Sequence, residues 1–303
     1  MSTPSAPAQS STVRTALGGV SSDVPDSSTA GAPLGYTEWM PPAGLDWAIE
    51  CVWMRRNPAG AASRSRILPD SCADLIFDLS ERAGLRSCGG GGLRAIAVGT
   101  MTEPLATEVA PGSTILGVRF RPGAALPFFG APLDELVDRR VDLEELWRHA
   151  RVERLAERLA ERLVECLVDR RAGSSDPADW AAVLGAELRL AGACVPDQVV
   201  RAAVRWIVES EGRVRSGELA RRLGLSRQTL ARRFRRQVGV GPKMLARVVR
   251  LRATVARIER AEQVDWAELA LDLGFSDQAH LCSELRELAG ASPTSLQREL
   301  VRS

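Results

Sequence analysis

Apolar and polar residues alternate in several short stretches between residues 36 and 120. In residues 47–53 the alternation predicts a half-buried strand with one side formed by Trp47, Ile49, Cys51 and Trp53. Residues 73–79, 93–99 and 114–120 are similar in character and are bounded by Gly and Pro turns. Short strands of this kind predict an antiparallel β-sandwich or a small barrel in the N-terminal half.

After Pro122 the apolar residues recur every three or four positions, which is typical of helices. Residues 152–171 form the longest early pattern, with a stripe of Val152, Leu155, Leu159, Leu163 and Leu167. This helix could pack on its own sandwich or against the same helix of a second subunit, so the stripe also leaves a homodimer open. Shorter helices are predicted at residues 134–137, 142–147, 180–190, 196–210 and 243–260.

Residues 218–242 have the pattern of a helix-turn-helix. A short helix over residues 218–223 ends at Gly224, and Ser226 offers its hydroxyl as the N-cap of a second helix. The buried side of the second helix is predicted to hold Leu230, Phe234 and Val238, which leaves Gln228 and several arginines on the other faces. This geometry is used to read DNA, although a basic, solvated helix pair would show a similar pattern.

The same pattern occurs a second time about fifty residues later. Residues 266–273 repeat the spacing of residues 216–223, and residues 290–293 repeat that of residues 239–242. A second recognition helix is therefore predicted over residues 277–288. Two such units joined by one helix favour DNA binding over a solvated helix pair.

Charge is distributed unevenly along a chain of 303 residues whose net charge is only +2. Residues 213–257 hold thirteen arginines and one lysine against a single acid, whereas residues 258–303 hold four arginines against nine acids. A positive field concentrated around the first helix-turn-helix favours a polyanionic partner over a small-molecule enzyme.

Composition predicts a protein of two domains with a tail, located in the cytoplasm. The chain contains no apolar run of eighteen residues and no secretory signal pattern, so no membrane partner is expected. Its six scattered cysteines favour reduced thiols over a disulfide framework or a metal site, and no cofactor is predicted. We expect a disordered tail at 1–34, an N-terminal domain with a helical linker at 35–195, and a DNA-binding domain at 196–303.

Both halves resemble parts of one family. The stretches GLSRQTLARRFRRQVGVGP and LGFSDQAHLCSELRELAGASPTSLQ resemble the DNA-binding domain of the AraC/XylS family of bacterial transcription regulators. The stretches ILPDSCADLIFDL, VGTMTEP and LGVRFRPGAALPFFGAPLDELVDRRVDLEEL are similar to the sensor-type domain of one AraC subgroup. The resemblance implies an α+β protein that binds double-stranded DNA as a sequence-specific transcription regulator. It leaves open a small-molecule effector, an RNA polymerase contact and a homodimer.

The resemblance also implies which side chains face DNA. In the first unit these are Arg227, Gln228, Thr229, Ala231, Arg232, Arg235 and Arg236, and in the second unit they are Gln278, Ala279 and Ser283. Gln is the usual partner of adenine and Arg of guanine, which suits Gln228 and Arg232. Ser283 stands where the family commonly has Arg or Lys, and Glu284 and Glu287 follow it. We therefore expect the first unit to supply most of the affinity and the second to contribute orientation or weak readout.

Two other classes of protein stay open at this point. One is an enzyme or DNA-repair protein whose catalytic domain covers residues 36–190, with the C-terminal part as a DNA-targeting module. The isolated His149 and His280 and the scattered cysteines argue against a zinc centre or a cupin metal site. The aspartates at 70, 74 and 78 are interpreted as turn and strand-edge residues, and the FRPG segment could line an effector pocket or brace the fold. The other class is a protein-interaction adaptor that has lost DNA binding.

Overall fold

The computed structural model describes residues 20–21, 35–57, 63–80, 94–168, 177–191, 197–261 and 263–301. Within them a β-rich N-terminal half precedes a helical C-terminal half, which confirms the predicted α+β class. Most of the tail predicted at 1–34 and the boundary predicted near 192–196 lie outside these residues. Inside the predicted tail, Val20 and Ser21 are described and pair with strand residues Arg66 and Ser65.

Two antiparallel sheets build the N-terminal half. The strands are β1 (Val20–Ser21), β2 (Gly35–Trp39), β3 (Ile49–Arg56), β4 (Ser63–Ile67), β5 (Ala73–Asp78), β6 (Arg94–Val98), β7 (Leu105–Val109), β8 (Thr114–Phe120) and β9 (Arg140–Asp142). Six of them form one sheet in the order β2-β3-β8-β5-β6-β9, and β1-β4-β7 form the other. The predicted sandwich-like arrangement of short strands is therefore confirmed.

Strand β3 differs from the alternation read in the sequence. Its register with β8 shifts between Ile49 and Cys51, so that Val52 and Met54 rather than Cys51 and Trp53 enter the main apolar core beside Ile49. The single-sided prediction for residues 47–53 was wrong because an irregularity of this kind moves every later side chain to the opposite face. Cys51 and Trp53 are nevertheless buried, on the other face of the sheet.

Helices cover the core face of the larger sheet. They are α1 (Leu126–Phe129), α2 (Leu143–Leu146), α3 (His149–Val168) and α4 (Pro177–Ala191), with a 3-10 turn at Leu133–Glu135. Val152, Leu155 and Leu159 of α3 are buried in the core of this same chain, together with Trp180, Leu184 and Leu188 of α4. These three positions of the predicted stripe therefore cannot pack against a second subunit, while the side chains at 163 and 167 lie outside the described residues.

The C-terminal half consists of two helix-turn-helix units built around one shared helix. Its helices are α5 (Gln198–Glu209), α6 (Ser216–Arg222), α7 (Arg227–Val238), α8 (Pro242–Arg260), α9 (Trp266–Asp272), α10 (Gln278–Ala289) and α11 (Pro293–Val301). The first part of α8 places Leu245 and Val249 in the core of the first unit. The second part of α8 places Leu251 and Val255 in the core of the second unit. The two predicted units therefore share α8, which contributes side chains to both of their cores.

Candidate DNA-binding surface

The turns of the two units begin with the same hydrogen-bonded geometry. Each contains a glycine in the left-handed region, with φ of +65° at Gly224 and +76° at Gly274. The N–H of the next residue donates to the carbonyl oxygen five residues back, at 3.0 Å for Leu225 and 2.9 Å for Phe275. A side chain is strained at this φ, which explains why glycine recurs at both turns.

The recognition helices α7 and α10 are each twelve residues long. Relative to the helix that precedes it, α10 begins one residue later than α7 does. Ser226 caps α7 by accepting from the N–H of Thr229, and Asp277 caps α10 by accepting from the N–H of His280. The recognition helices are thus related by 51 positions, whereas the preceding helices α6 and α9 are related by 50. The second unit has one extra residue in its turn.

This register changes which side chains correspond between the units. The places of Gln228, Ala231 and Arg232 in α7 are taken in α10 by Ala279, Cys282 and Ser283. Gln278 corresponds to Arg227, and Cys282 is a half-buried residue that sequence reasoning missed. The apolar residues Leu230 and Phe234 match Leu281 and Leu285 at the same 51-residue spacing, so the signal was present in the sequence.

The outer face of α7 carries positive charge without acidic partners. Arg227, Gln228, Arg232, Arg235 and Arg236 are exposed, and Thr229 and Ala231 are half-buried. Among the described residues, none of these four arginines lies within ion-pair distance of a carboxylate. A cluster of uncompensated guanidinium groups on one helix is a surface suited to phosphate and guanine.

Seven of the other nine arginines of the basic block lie within ion-pair distance of a carboxylate, and the exceptions are the exposed Arg215 and Arg221. Nε and one terminal nitrogen of Arg233 donate to the two carboxylate oxygens of Asp197, each at 2.6 Å, and Arg257 donates to Glu211 at 3.0 Å. Burial alone would raise the pKa of Asp197, but the hydrogen bonds from Arg233 and from two backbone N–H groups lower it. A large part of the charge counted over residues 213–257 therefore stabilises the fold, and the free charge is concentrated on α7.

The acids of α10 are also paired, which alters the expectation drawn from the sequence. Glu284 faces inward, with its side chain 9% exposed, and accepts from Arg247 at 2.9 Å and from Arg250 at 2.8 Å. Glu287 is 61% exposed and contacts Arg247 at 2.6 Å, which lowers its pKa. Glu284 therefore joins α10 to α8, and only Glu287 adds a carboxylate to the outer surface of this helix.

The C-terminal end of α7 is fixed to the N-terminal domain. The side chain of Gln237 is buried, donates to the carbonyl oxygen of Gly123 at 2.9 Å and accepts from the N–H of Asp197 at 3.0 Å. The hydroxyl of Thr100 donates to the carbonyl oxygen of Val238 at 2.6 Å. The FRPG segment, whose role the sequence left open, thus braces the recognition helix through Gly123.

A buried polar cluster connects the sheet to the DNA-binding half. Asp70 lies in the predicted turn, where it accepts from the N–H of Cys72 at 2.9 Å, and Asp74 lies in β5. Both carboxylates also lie 3.4 Å from Arg119 and share its guanidinium. Burial raises the pKa of Asp74 to about 6, although Arg119 and a hydrogen bond from Trp53 oppose the shift. Arg252 of α8 donates to the carbonyl oxygen of Asp70 at 3.2 Å, which extends the cluster into the second half of the chain.

Two features bear on the other classes of protein. In the described parts of the chain no three His, Cys, Asp or Glu side chains are grouped as metal ligands, and Cys51, Cys72 and Cys282 are free thiols. No helix in these same parts combines the length and the apolarity needed to cross a membrane.

The geometry defines a class of protein with two helix-turn-helix units that share a central helix. Comparison with known families agrees, since residues 219–299 match a helix-turn-helix domain family and residues 37–142 match a domain of unknown function, DUF6597. The predicted helix-turn-helix domain in the C-terminal part is therefore confirmed, and the part that precedes it contains the domain of unknown function.

Solved structures show only distant similarity. The C-terminal domain of AraT, a response regulator from Geobacillus stearothermophilus, is 21% identical over 34% of this chain and 85% of its own, with a TM-score of 0.32. An AraC-type transcriptional regulator from Chromobacterium violaceum is 21% identical over 35% of this chain and 94% of its own, also with a TM-score of 0.32. ToxT from Vibrio cholerae O395 is 10% identical over 83% of this chain and 98% of its own, with a TM-score of 0.40. No curated protein matches the chain.

Proposed function

We propose that this protein is a sequence-specific transcription regulator that reads adjacent major grooves of double-stranded DNA with α7 and α10. The observation that carries the proposal is the row of exposed arginines on α7 that lack carboxylate partners among the described residues. Guanidinium groups in this position on a recognition helix can contact the phosphates and bases of DNA. Such a regulator acts on the chromosome and therefore, in a bacterium, in the cytoplasm. The N-terminal domain would transmit an effector signal, and an RNA polymerase contact and a homodimer stay predictions.

In α7, Gln228 and Arg232 are the residues proposed to read bases. They lie one helical turn apart near the N-terminal end of the helix, and both are exposed. An amide can pair with adenine and a guanidinium with guanine, each through two hydrogen bonds. Arg235 and Arg236, one turn further on, are proposed to contact phosphates together with Arg227 and Thr229, whereas Ala231 can make only an apolar contact.

In α10, Gln278, Ala279 and Ser283 are proposed to face the second groove. All three are exposed, but none carries a charge, and Ser283 occupies the place that Arg232 has in α7. The ion pairs of Glu284 and Glu287 reduce the repulsion of phosphate that the sequence suggested. We therefore expect α10 to orient the protein and to add modest readout, while α7 provides most of the affinity.

The proposal is tested by finding the bound DNA first and then measuring affinities. Genome-wide footprinting supplies the cognate duplex, and fluorescence anisotropy compares it with a scrambled duplex at several salt concentrations. Arg232→Ala should weaken cognate binding by about 1–3 kcal/mol and relax the preference at one base pair. Arg236→Ala should weaken both duplexes alike and reduce the salt slope by about 0.9.

Arg148→Ala is the matched control, because Arg148 is an exposed arginine on the N-terminal domain. It should bind both duplexes as the wild type does. Cognate and scrambled binding by Arg232→Ala that equals that of Arg148→Ala would remove Arg232 from the reading surface. A wild-type protein that does not distinguish the footprinted site from its scrambled form would overturn the proposed function.

A further inference from the structure

A cleft of about 630 Å³ lies between the N-terminal domain and the DNA-binding domain. Its N-terminal wall includes Trp47 and the segment Arg121 to Ala124, and its other wall is formed by α5 and the middle of α8. The volume lies within the range of pockets that hold small organic ligands, and such sites occur preferentially where domains meet. No step of the proposed DNA reading uses this cleft.

The acidic residues that line the cleft are all compensated. Glu50 pairs with Arg252 at 3.5 Å and Asp70 with Arg119 at 3.4 Å, which joins them to the buried cluster below the cleft. On the other wall Glu209 pairs with Arg205 at 3.7 Å, and Glu211 pairs with Arg257 at 3.0 Å.

Two arginines of the lining remain without a carboxylate partner among the described residues, one from each domain. Arg121 uses its Nε to donate to the carbonyl oxygen of Asp46 at 2.9 Å, which leaves its two terminal nitrogens free for another acceptor. Arg201 of α5 lies over the ring of Trp47, with its guanidinium carbon 5.6 Å from the ring centroid. Since each acid of the lining already has an arginine partner, the guanidinium groups of Arg121 and Arg201 are the ones available to an anion in the cleft.

The rest of the lining is apolar. Val204, Val208, Val249 and Ala253 come from α5 and α8, and Val208 is 46% exposed although it is a large apolar residue. Trp47 adds a half-buried aromatic surface from the N-terminal wall. An occupant that satisfies both parts of the lining has an apolar body and a single anionic group.

We propose that this cleft binds a small organic anion, with its charged group between Arg121 and Arg201 and its apolar body against Trp47 and Val208. The two arginines belong to different domains, so the bound anion links them. Gly123, two residues from Arg121, is the acceptor that holds Gln237 of α7. Occupancy of the cleft therefore reaches α7 through one hydrogen bond, and an effect on DNA binding by this route rests on the proposed function.

The test uses the fluorescent anion 8-anilinonaphthalene-1-sulfonate with the full chain and no DNA. The wild type should bind it saturably, and 4-phenylbutyrate should displace it while the uncharged 4-phenylbutanol does not. Arg121→Gln and Arg201→Gln should each raise the Kd about tenfold, which corresponds to about 1.4 kcal/mol. Val208→Asp should also abolish binding, because it adds an uncompensated carboxylate at an exposed position where folding is not at risk.

Arg148→Gln is the matched control and should leave the Kd within about twofold, since its arginine lies outside the cleft; circular dichroism confirms that each variant is folded. Absence of saturable binding, equal displacement by the alcohol, or an unchanged Kd in both Arg121→Gln and Arg201→Gln overturns the proposal. Because no DNA is present, a protein that binds the probe as expected but ignores its footprinted DNA refutes the proposed function and leaves the cleft assignment standing.

Discussion

Replacing Glu284 with alanine should destabilise the protein strongly, because this carboxylate is the link between α10 and α8. Its two oxygens accept from Arg247 and Arg250, whose side chains are only 17% and 16% exposed. Without the carboxylate, two largely buried guanidinium groups on α8 would lose their counter-charge. Removing one partner of a buried pair typically costs about 3–5 kcal/mol, and the residual exposure of both arginines favours the lower end of that range.

A loss of about 3 kcal/mol corresponds to a decrease in Tm of roughly 5 °C for a chain of 303 residues, since the entropy of unfolding is about 2.1 cal/mol/K per residue. Thermal unfolding followed by far-UV circular dichroism measures this decrease. The control is Glu268→Ala, since Glu268 is an exposed glutamate on α9 and its removal should change stability by less than about 0.5 kcal/mol. Equal Tm values for the two variants, or tighter DNA binding by Glu284→Ala, would refute the inward orientation of Glu284.

Three further variants test other parts of the structure. Glu287→Gln should change stability by less than about 1 kcal/mol, since the Glu287 carboxylate is exposed and Arg247 keeps Glu284 as a partner. It should also tighten binding to any duplex by about threefold at low salt, and an anisotropy titration without this gain would contradict a position of Glu287 near the phosphates. Gly239→Ala should cost about 1–3 kcal/mol in thermal unfolding, because φ is +92° and the new Cβ would lie 3.1 Å from the carbonyl oxygen of Leu133. Gly241→Ala has open space and a φ of −77°, so it should cost less than about 1 kcal/mol, the loss expected at the N-cap of α8. Because the pKa of Asp74 is raised, the folded state binds more protons than the unfolded state between about pH 4 and pH 6. The free energy of unfolding of the wild type should therefore fall by on the order of 2 kcal/mol relative to that of Asp74→Asn as the pH rises through this range. A difference in urea denaturation that does not change with pH would show that Asp74 stays ionised.

Sequence patterns predicted the elements of this fold better than the partners of its charged side chains. Helix α7 could be read from Ser226 and the apolar spacing of Leu230 and Phe234, because caps and periodicity are local properties. The irregularity in β3 could not be predicted in this way, since it arises from the pairing of β3 with β8, a strand that is distant in the sequence. In the same way, nothing near Glu284 in the sequence indicates that its counter-charges lie 34 and 37 residues earlier in α8.

Arginine has two roles in this DNA-binding domain, and the distance to a carboxylate separates them. Arg233, Arg247 and Arg250 lie within 3 Å of an acid and hold helices together. The exposed arginines of α7 have no such partner among the described residues, so their charge remains available to a polyanion. The charge counted from the sequence therefore overestimates the positive charge that has no carboxylate partner. That unpaired charge is also more localised than the composition suggested. Because Thr100 and Gly123 hold the C-terminal end of α7, the unpaired arginines of this helix have a defined orientation relative to the N-terminal domain, and a change in those two contacts would alter it.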